Sequence, residues 1–225
     1  MRYICGVLIG YYNMTSKEII IESAMKMFVS QGIKAVRMDD IAHELSISKR
    51  TLYELFGDKE ELIYQSIKHY ANQLKARRDE LTREVNNPLE AMIISLRDMI
   101  IDAPVTFRLR RNMSRFYPAV HQRLEQEMQT ESRSSLSSWI KVCVEQGYFT
   151  TTADCDFVVR VLHDSAGGII SVNSYETNDN LEIISMISYS LVIFIRGLCT
   201  IKGIEVIDGC FNKYFGSLPK PKGAI

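Results

Sequence analysis

From Thr15 onward, apolar residues recur every three or four positions, and almost nowhere do they alternate. That period is the signature of helices with one buried face, and it excludes a sheet-based fold. Ser16 caps a first helix in which Ile20, Ala24, Met27 and Phe28 share a face, and Gly32 stops it. A short second helix carries Ile41, Ala42 and Leu45 and ends at Ser46. Ser48 caps a third helix through Phe56, where Gly57 follows. Asp58 caps a long fourth helix from Lys59 to about Val85, roughly 40 Å at 1.5 Å per residue. Asn86, Asn87 and Pro88 break it, and Leu89 to Ala103 form the next amphipathic run. Pro104 and Pro118 delimit a shorter segment. A second long helix spans Ala119 to Gln146 and is closed by Gly147. Two further helices are expected, Asp156 to about Asn173 and Leu181 to about Lys202, before a last amphipathic turn carrying Val206, Ile207, Phe211, Tyr214 and Phe215. The only β-like patch, Tyr148 to Thr152, sits in a loop. The fold class is all-α.

Composition removes several functions. The chain has 225 residues with 27 basic and 27 acidic side chains, so bulk attraction to a polyanion is excluded, whereas a local basic face is not. Five cysteines (Cys5, Cys143, Cys155, Cys199, Cys210) form no C-x-x-C pair. That pattern neither staples a secreted fold nor builds a zinc site, and it fits a reducing cytoplasm. His163 and Asp164 are adjacent, as a helical metal phosphohydrolase needs. With only His43, His69 and His121 besides, and no H-x-x-x-H or H-E-x-x-H, no metal, cofactor or catalytic set is expected, and His163 reads as a core or pocket histidine. No stretch approaches the roughly 20 apolar residues of a membrane span, so no membrane partner is expected. Residues 1–13, MRYICGVLIGYYN, lack the cleavage site of a signal peptide. They read as a leader preceding a translation start at Met14.

The informative segment is Val36 to Leu62, VRMDDIAHELSISKRTLYELFGDKEEL. Two short helices joined by a three- or four-residue turn form a helix-turn-helix, with Ile47 placed to plug between Ala42 and Leu52. At about 100° per residue, Leu52, Leu55 and Phe56 share one face of the third helix. Arg50, Tyr53 and Glu54 point the opposite way, flanked by Lys49 and Thr51. A short surface helix with two charges explains each residue singly. The apolar anchors, turn length, basic-aromatic face and following Gly-Asp-Lys together point to a helix that enters a major groove, where Lys and Arg meet bases or phosphates and hydroxyls donate to phosphate oxygens.

The segment resembles the DNA-binding domain of TetR-family transcriptional regulators. The resemblance rests on an F-x-x-K-x-x-L pattern at Phe56, Lys59 and Leu62, and on Ala24, Phe28 and Gly32 before it. It covers about Ser16 to Leu62. It implies that Tyr53 and Lys59 hold the DNA backbone, and that Lys49, Arg50 and Thr51 lie in or beside the major groove with Ser48 at the helix start. The family usually opens the second helix with a phosphate-binding Thr, where this chain has Arg37. Arg37 can meet a phosphate but caps poorly. Glu54 and Leu55 stand where the family often has Tyr-His, and an acid there opposes binding unless it accepts from cytosine or turns outward.

The expected organisation is a leader at 1–13, a DNA-binding domain at 14–62, a helical effector-binding and dimerisation domain at 63–218 and a tail at 219–225. Leu181, Ile184, Ile187, Leu191, Ile195 and Leu198 recur at helical spacing. The helix before pairs Val159, Leu162 and Ile170 with the small residues Ser165, Ala166, Gly167 and Gly168. Burial within the monomer and self-association both account for these stripes. The resemblance implies a homodimer built from them as a four-helix bundle. It also implies a cavity for a small-molecule effector between the middle helices, drawn from Leu96, Ile100, Phe107, Phe116, Tyr117, Trp139, Cys143 and His163. Met and aromatic linings suit an apolar or aromatic effector. The four arginines of FRLRRNMSR, Phe107 to Arg115, read first as a solvated face. The leading expectation is a homodimeric, cytoplasmic repressor that leaves a near-palindromic double-stranded DNA operator when it binds a small molecule. The alternative is an all-α small-molecule-binding protein or enzyme with an incidental helix-turn-helix.

Overall fold

The computed structural model describes residues 16–150, 154, 156–161 and 180–216, with the side chains of 129–132 and 180–186 excepted. The named helices are α1 (Ser16–Gln31), α2 (Met38–Glu44), α3 (Lys49–Phe56), α4 (Lys59–Thr82), α5 (Pro88–Phe116), α6 (Pro118–Glu145), α7 (Asn180–Leu198) and α8 (Ile201–Phe215). Residues 156–161 are also helical. Among the described residues, the β-pairing is a single isolated bridge, Phe149 to Cys199. The all-α expectation holds.

The chain divides into two compact units. The first comprises residues 1–74 and 108–125, the second 75–107 and 126–225. The first unit therefore extends beyond the expected 14–62 domain, and the divisions fall inside α4, α5 and α6. Its interior is largely apolar: Ala24, Phe28, Ile33, Val36, Ile41, Leu52, Leu62 and Ile63 are fully buried, and so is the polar Ser66. Leu109, Met113, Val120 and Leu124, from the ends of α5 and α6, are buried in the same unit. Gly32 has φ +88°, a left-handed conformation open to glycine at no steric cost, and its N–H closes α1 on the Phe28 carbonyl at 3.0 Å.

The second unit packs Leu89, Met92, Ile93 and Ile100 with Ile140, Cys143, Phe149, Ile187, Leu191, Ile195, Ile207 and Phe215 in one core. Arg77 on α4 donates to Asp98 on α5 at 2.9 Å and also to Asp102, so this buried carboxylate has its counter-charge. The Tyr214 hydroxyl and the Lys213 ammonium both donate to Glu90, at 2.7 and 3.0 Å, and hold its carboxyl below the usual carboxylate range. Burial pushes the thiols of Cys143, Cys199 and Cys210 up, to about 12, 11 and 11, which leaves them as unreactive core residues at neutral pH.

Three expectations need correction. Pro104 does not end a helix, because α5 runs 29 residues straight through it. A proline inside a helix costs about 3 kcal/mol. Burial of Ile100 and Ala103 before it, and of Leu109 and Met113 after it, offsets that cost. The helix expected to continue to Lys202 stops at Leu198. There the Thr150 N–H reaches the Leu198 carbonyl and the Thr200 N–H reaches the Tyr148 carbonyl, both at 2.9 Å, so strand-like pairing interrupts the run. Thr200 then caps α8, accepting from the Gly203 N–H at 3.2 Å. Finally, Ile187, Leu191 and Ile195 are 2%, 4% and 0% exposed within the second unit's own core, so they have no surface left for a partner subunit. Among the described side chains of this helix, the exposed large apolar one is Ile193, at 70%. Leu162, His163, Ala166 and Ile170 lie outside the described residues, as does the side chain of Ile184.

The loop pairing makes two glycines of α8 behave oppositely. A Cβ at Gly203 would stand 2.2 Å from the Tyr148 carbonyl oxygen, whereas one at Gly209 meets nothing within 4 Å. Gly203→Ala is therefore expected to lower stability by about 1–3 kcal/mol, through forced separation of packed backbone. Gly209→Ala is expected to raise it by about 0.5–1 kcal/mol, as an exposed helix-interior change. Urea melts of the two variants give the opposite signs directly.

Candidate nucleic-acid interface

The reading element is built from α2, α3 and the turn between them. Ser48 accepts from the Thr51 N–H at 3.0 Å, and its hydroxyl also pairs with that of Thr51 at 2.8 Å, so α3 starts at a side-chain cap. Gly57, at φ +76°, closes it on the Tyr53 carbonyl at 2.8 Å. In the turn, the Ile47 N–H reaches the Ala42 carbonyl at 3.0 Å, Ile47 is half-buried, and Ser46 takes a left-handed φ of +53°. Leu52 and Phe56 face the interior as expected. Leu55 does not: at 38% exposed it lies on the flank, since only two positions of so short a helix reach the core.

With those anchors inside, Lys49, Arg50, Thr51, Tyr53 and Glu54 are exposed together. The Arg50 side chain is 88% accessible and its Nε donates to the Glu54 carboxylate at 2.7 Å. Lys49 meets Asp39 of α2 at 2.7 Å and lies 6.0 Å from the centre of the Tyr53 ring. The hydrogen bond to Asp39, and then its charge, raise the Lys49 ammonium above its usual range. Arg37 precedes α2 and is exposed. A guanidinium has no acceptor, so it caps nothing. Instead its backbone N–H donates to Asp40 at 2.7 Å. The segment contains Arg37, Lys34, Lys49 and Arg50 on its outer side, with acids placed against two of them.

Lys59 has a second task. Its ammonium donates to the Ile33 carbonyl at 2.8 Å and sits 5.2 Å from the centre of the Tyr117 ring. It fastens the start of α4 to the loop before α2. One of its three N–H donors is engaged in this way.

The expected effector-cavity residues separate into two groups. Ile100 and Cys143 are buried in the second unit's core, and Leu96, Phe107 and Trp139 pack against it. Phe116 and Tyr117 belong to the first unit, where Lys34 lies 4.4 Å and Arg115 5.2 Å from the Phe116 ring centre. Gln31, Lys34, Arg37, Asn112 and Phe116 line an open groove of about 430 Å³ in that unit. Of the arginine-rich run, Arg108 donates to the Val29 carbonyl at 2.7 Å and Arg110 to Glu125 at 2.5 Å, so these two brace the first unit rather than only facing solvent.

Sequence reasoning missed the two ion pairs, Lys49–Asp39 and Arg50–Glu54. The Arg50–Glu54 spacing of i, i+4 was a visible signal. The Asp39–Lys49 pair had none, because it depends on how α2 and α3 pack. No helix among the described residues is long and apolar enough to cross a membrane. Nor do those residues contain a group of three or more His, Cys, Asp or Glu side chains placed to hold a metal.

Residues 20–65, which span all of α2 and α3, match the bacterial regulatory proteins, tetR family. Over 187 residues the chain is 25% identical to the HTH-type transcriptional repressor KstR2 of Mycobacterium tuberculosis, covering 80% of this chain and 90% of that one. The solved structure of that organism's ketosteroid transcriptional regulator KstR2 superposes with a TM-score of 0.57 at 19% identity, covering 83% of this chain and 96% of that one. A transcriptional regulator from Cytophaga hutchinsonii does so with a TM-score of 0.71 at 18% identity, covering 81% and 98%. The helix-turn-helix, its outward basic-aromatic face and these matches agree: the chain is a DNA-binding transcriptional regulator whose residues 20–65 form a TetR-family DNA-binding domain.

Proposed function

We propose that the protein is a repressor that binds a near-palindromic operator as a homodimer and leaves it when a small molecule binds the second unit. The observation that carries the DNA reading is the outer face of α3, where Lys49, Arg50, Thr51 and Tyr53 stand exposed on a helix anchored by buried Leu52 and Phe56. Lys49 and Arg50 occupy its first turn, the part of a recognition helix that meets base edges. Arg37, Ser48, Thr51, Tyr53 and Lys59 hold the phosphates around them, Lys59 through the donors left over from Ile33. Repression is supported by the likeness to KstR2, a transcriptional repressor that matches across most of both chains.

Two reading helices must enter successive major grooves about 34–36 Å apart to bind both half-sites. Dimerisation through α7 and its neighbours is supported by Ile193 and Ile201, which are 70% and 81% exposed although apolar. The effector is apolar or aromatic, in keeping with the Leu96, Ile100, Phe107, Trp139 and Cys143 environment. A ketosteroid is the first probe to try, since KstR2 is a ketosteroid transcriptional regulator. Such a ligand acts only through its difference in affinity between the DNA-competent form and the other, typically about 1–3 kcal/mol of coupling.

A gel shift on the DNA upstream of its own gene tests the reading. Arg50→Ala is expected to weaken binding by about 1–3 kcal/mol and relax one base position per half-site. Arg37→Ala is expected to weaken all sequences alike and reduce the salt dependence by about one unit. Parental shifts from both variants would refute the interface. Ile193→Asp is expected to sediment as a folded monomer, because a charge there would be buried unpaired in the dimer. A dimer of that variant would move the interface elsewhere. For the effector, titrations with and without operator should differ by the same factor that ligand weakens DNA binding. Equal affinities would remove the switch.

A further inference from the structure

We propose that Glu54 is a specificity-determining positioning residue, which aims Arg50 at guanine through the Arg50–Glu54 hydrogen bond. The inference rests on the reading that α3 enters the major groove. Arg50 lies in the first turn of α3, and its side chain is 88% accessible, so nothing in the core fixes where the guanidinium points. What fixes it is Glu54, one turn later on the same face. The Arg50 Nε donates to the Glu54 Oε1 at 2.7 Å.

The choice of nitrogen matters. Nε carries a single N–H, and Glu54 takes it, which leaves the four N–H groups of Nη1 and Nη2 at the far end of the fork. Two parallel donors match the O6 and N7 acceptors of guanine. Adenine presents one acceptor and one donor at the same edge, and cytosine a donor, so a fork held end-on discriminates against both. Free in solution, a surface pair of this kind adds little to stability, about what an i, i+4 contact adds to any helix. Its consequence appears on DNA, where the guanidinium arrives already oriented.

The same carboxylate is 59% accessible and stands on a face that meets a polyanion. It therefore opposes attraction to every sequence, while favouring the one that accepts the fork. Affinity and specificity are set in opposite directions by one residue, and that opposition identifies the role. A purely repulsive acid would lower affinity and leave base preference alone. A glutamate reading cytosine directly would lose its preference without Arg50 being involved.

The test is binding-site selection from randomised duplexes with the full chain as wild type, Glu54→Ala, Glu54→Gln and Arg50→Ala, followed by titration of the wild-type selected duplex and an unrelated duplex. Glu54→Ala is expected to bind the unrelated duplex as tightly as wild type or more tightly. Its guanine preference at one position in each half-site should fall about tenfold, in step with Arg50→Ala. Glu54→Gln keeps an oxygen acceptor for Nε and is expected to keep the preference. An unchanged preference in Glu54→Ala overturns the proposal, as does a preference lost in Glu54→Ala but kept in Arg50→Ala. A wild-type chain that selects no sequence would overturn the major-groove reading itself, and the proposal with it. Thermal melts matching the parent are expected for all three variants, since neither side chain is buried.

Discussion

A helix of eight residues does not hold its shape in water, because nucleation outweighs the few hydrogen bonds that two turns provide. The proposed reading face is carried on such a helix, so the proposed recognition depends on how α3 is held. Leu52 is fully buried and Phe56 nearly so. Burying two such side chains contributes about 1.5–3 kcal/mol each. Ser48 caps one end and Gly57 closes the other, each satisfying backbone groups that a short helix leaves open. The outward direction of Lys49, Arg50 and Tyr53 is the geometric consequence of those inward anchors.

Much of this was legible in the sequence because it is local. The Ser48 cap, the Gly32 and Gly57 stops and the Leu52 and Phe56 anchors are set within a turn or two of the residues that define them. Apart from the Arg50–Glu54 contact, the missed features depend on packing and pairing beyond the local sequence. The end of α7 at Leu198 is enforced by pairing with Tyr148 and Thr150, about fifty positions earlier, while RGLCTIKG itself reads as uninterrupted helix. Pro104 is a reliable local stop signal that loses to burial on both sides of it. Periodicity found the apolar stripe of Ile187, Leu191 and Ile195 correctly, yet a stripe looks the same whether a subunit's own core or a second subunit covers it. Here its own core does.

The polar side of the interface follows a related logic. Net charge is zero, and even the local basic face is partly neutralised, with Asp39 on Lys49 and Glu54 on Arg50. A head arranged in this way gives up general attraction to DNA. On the proposed reading, what remains is discrimination by a few cations held by acids, and a requirement for two sites at once. Lys59 illustrates the same economy of placement, since a residue expected only to touch phosphate also ties the loop before α2 to the start of α4.

The central claim, that the outer face of α3 reads base edges in the major groove, is tested most directly by methylation protection. Dimethyl sulfate attacks guanine N7, the acceptor that an arginine fork covers in that groove. On a duplex recovered by the protein from its own upstream DNA, guanines are expected to be protected in two patches about one helical turn apart, with protection lost at one guanine per patch in Arg50→Ala. Full occupancy of the duplex with every guanine N7 still reactive would contradict the claim.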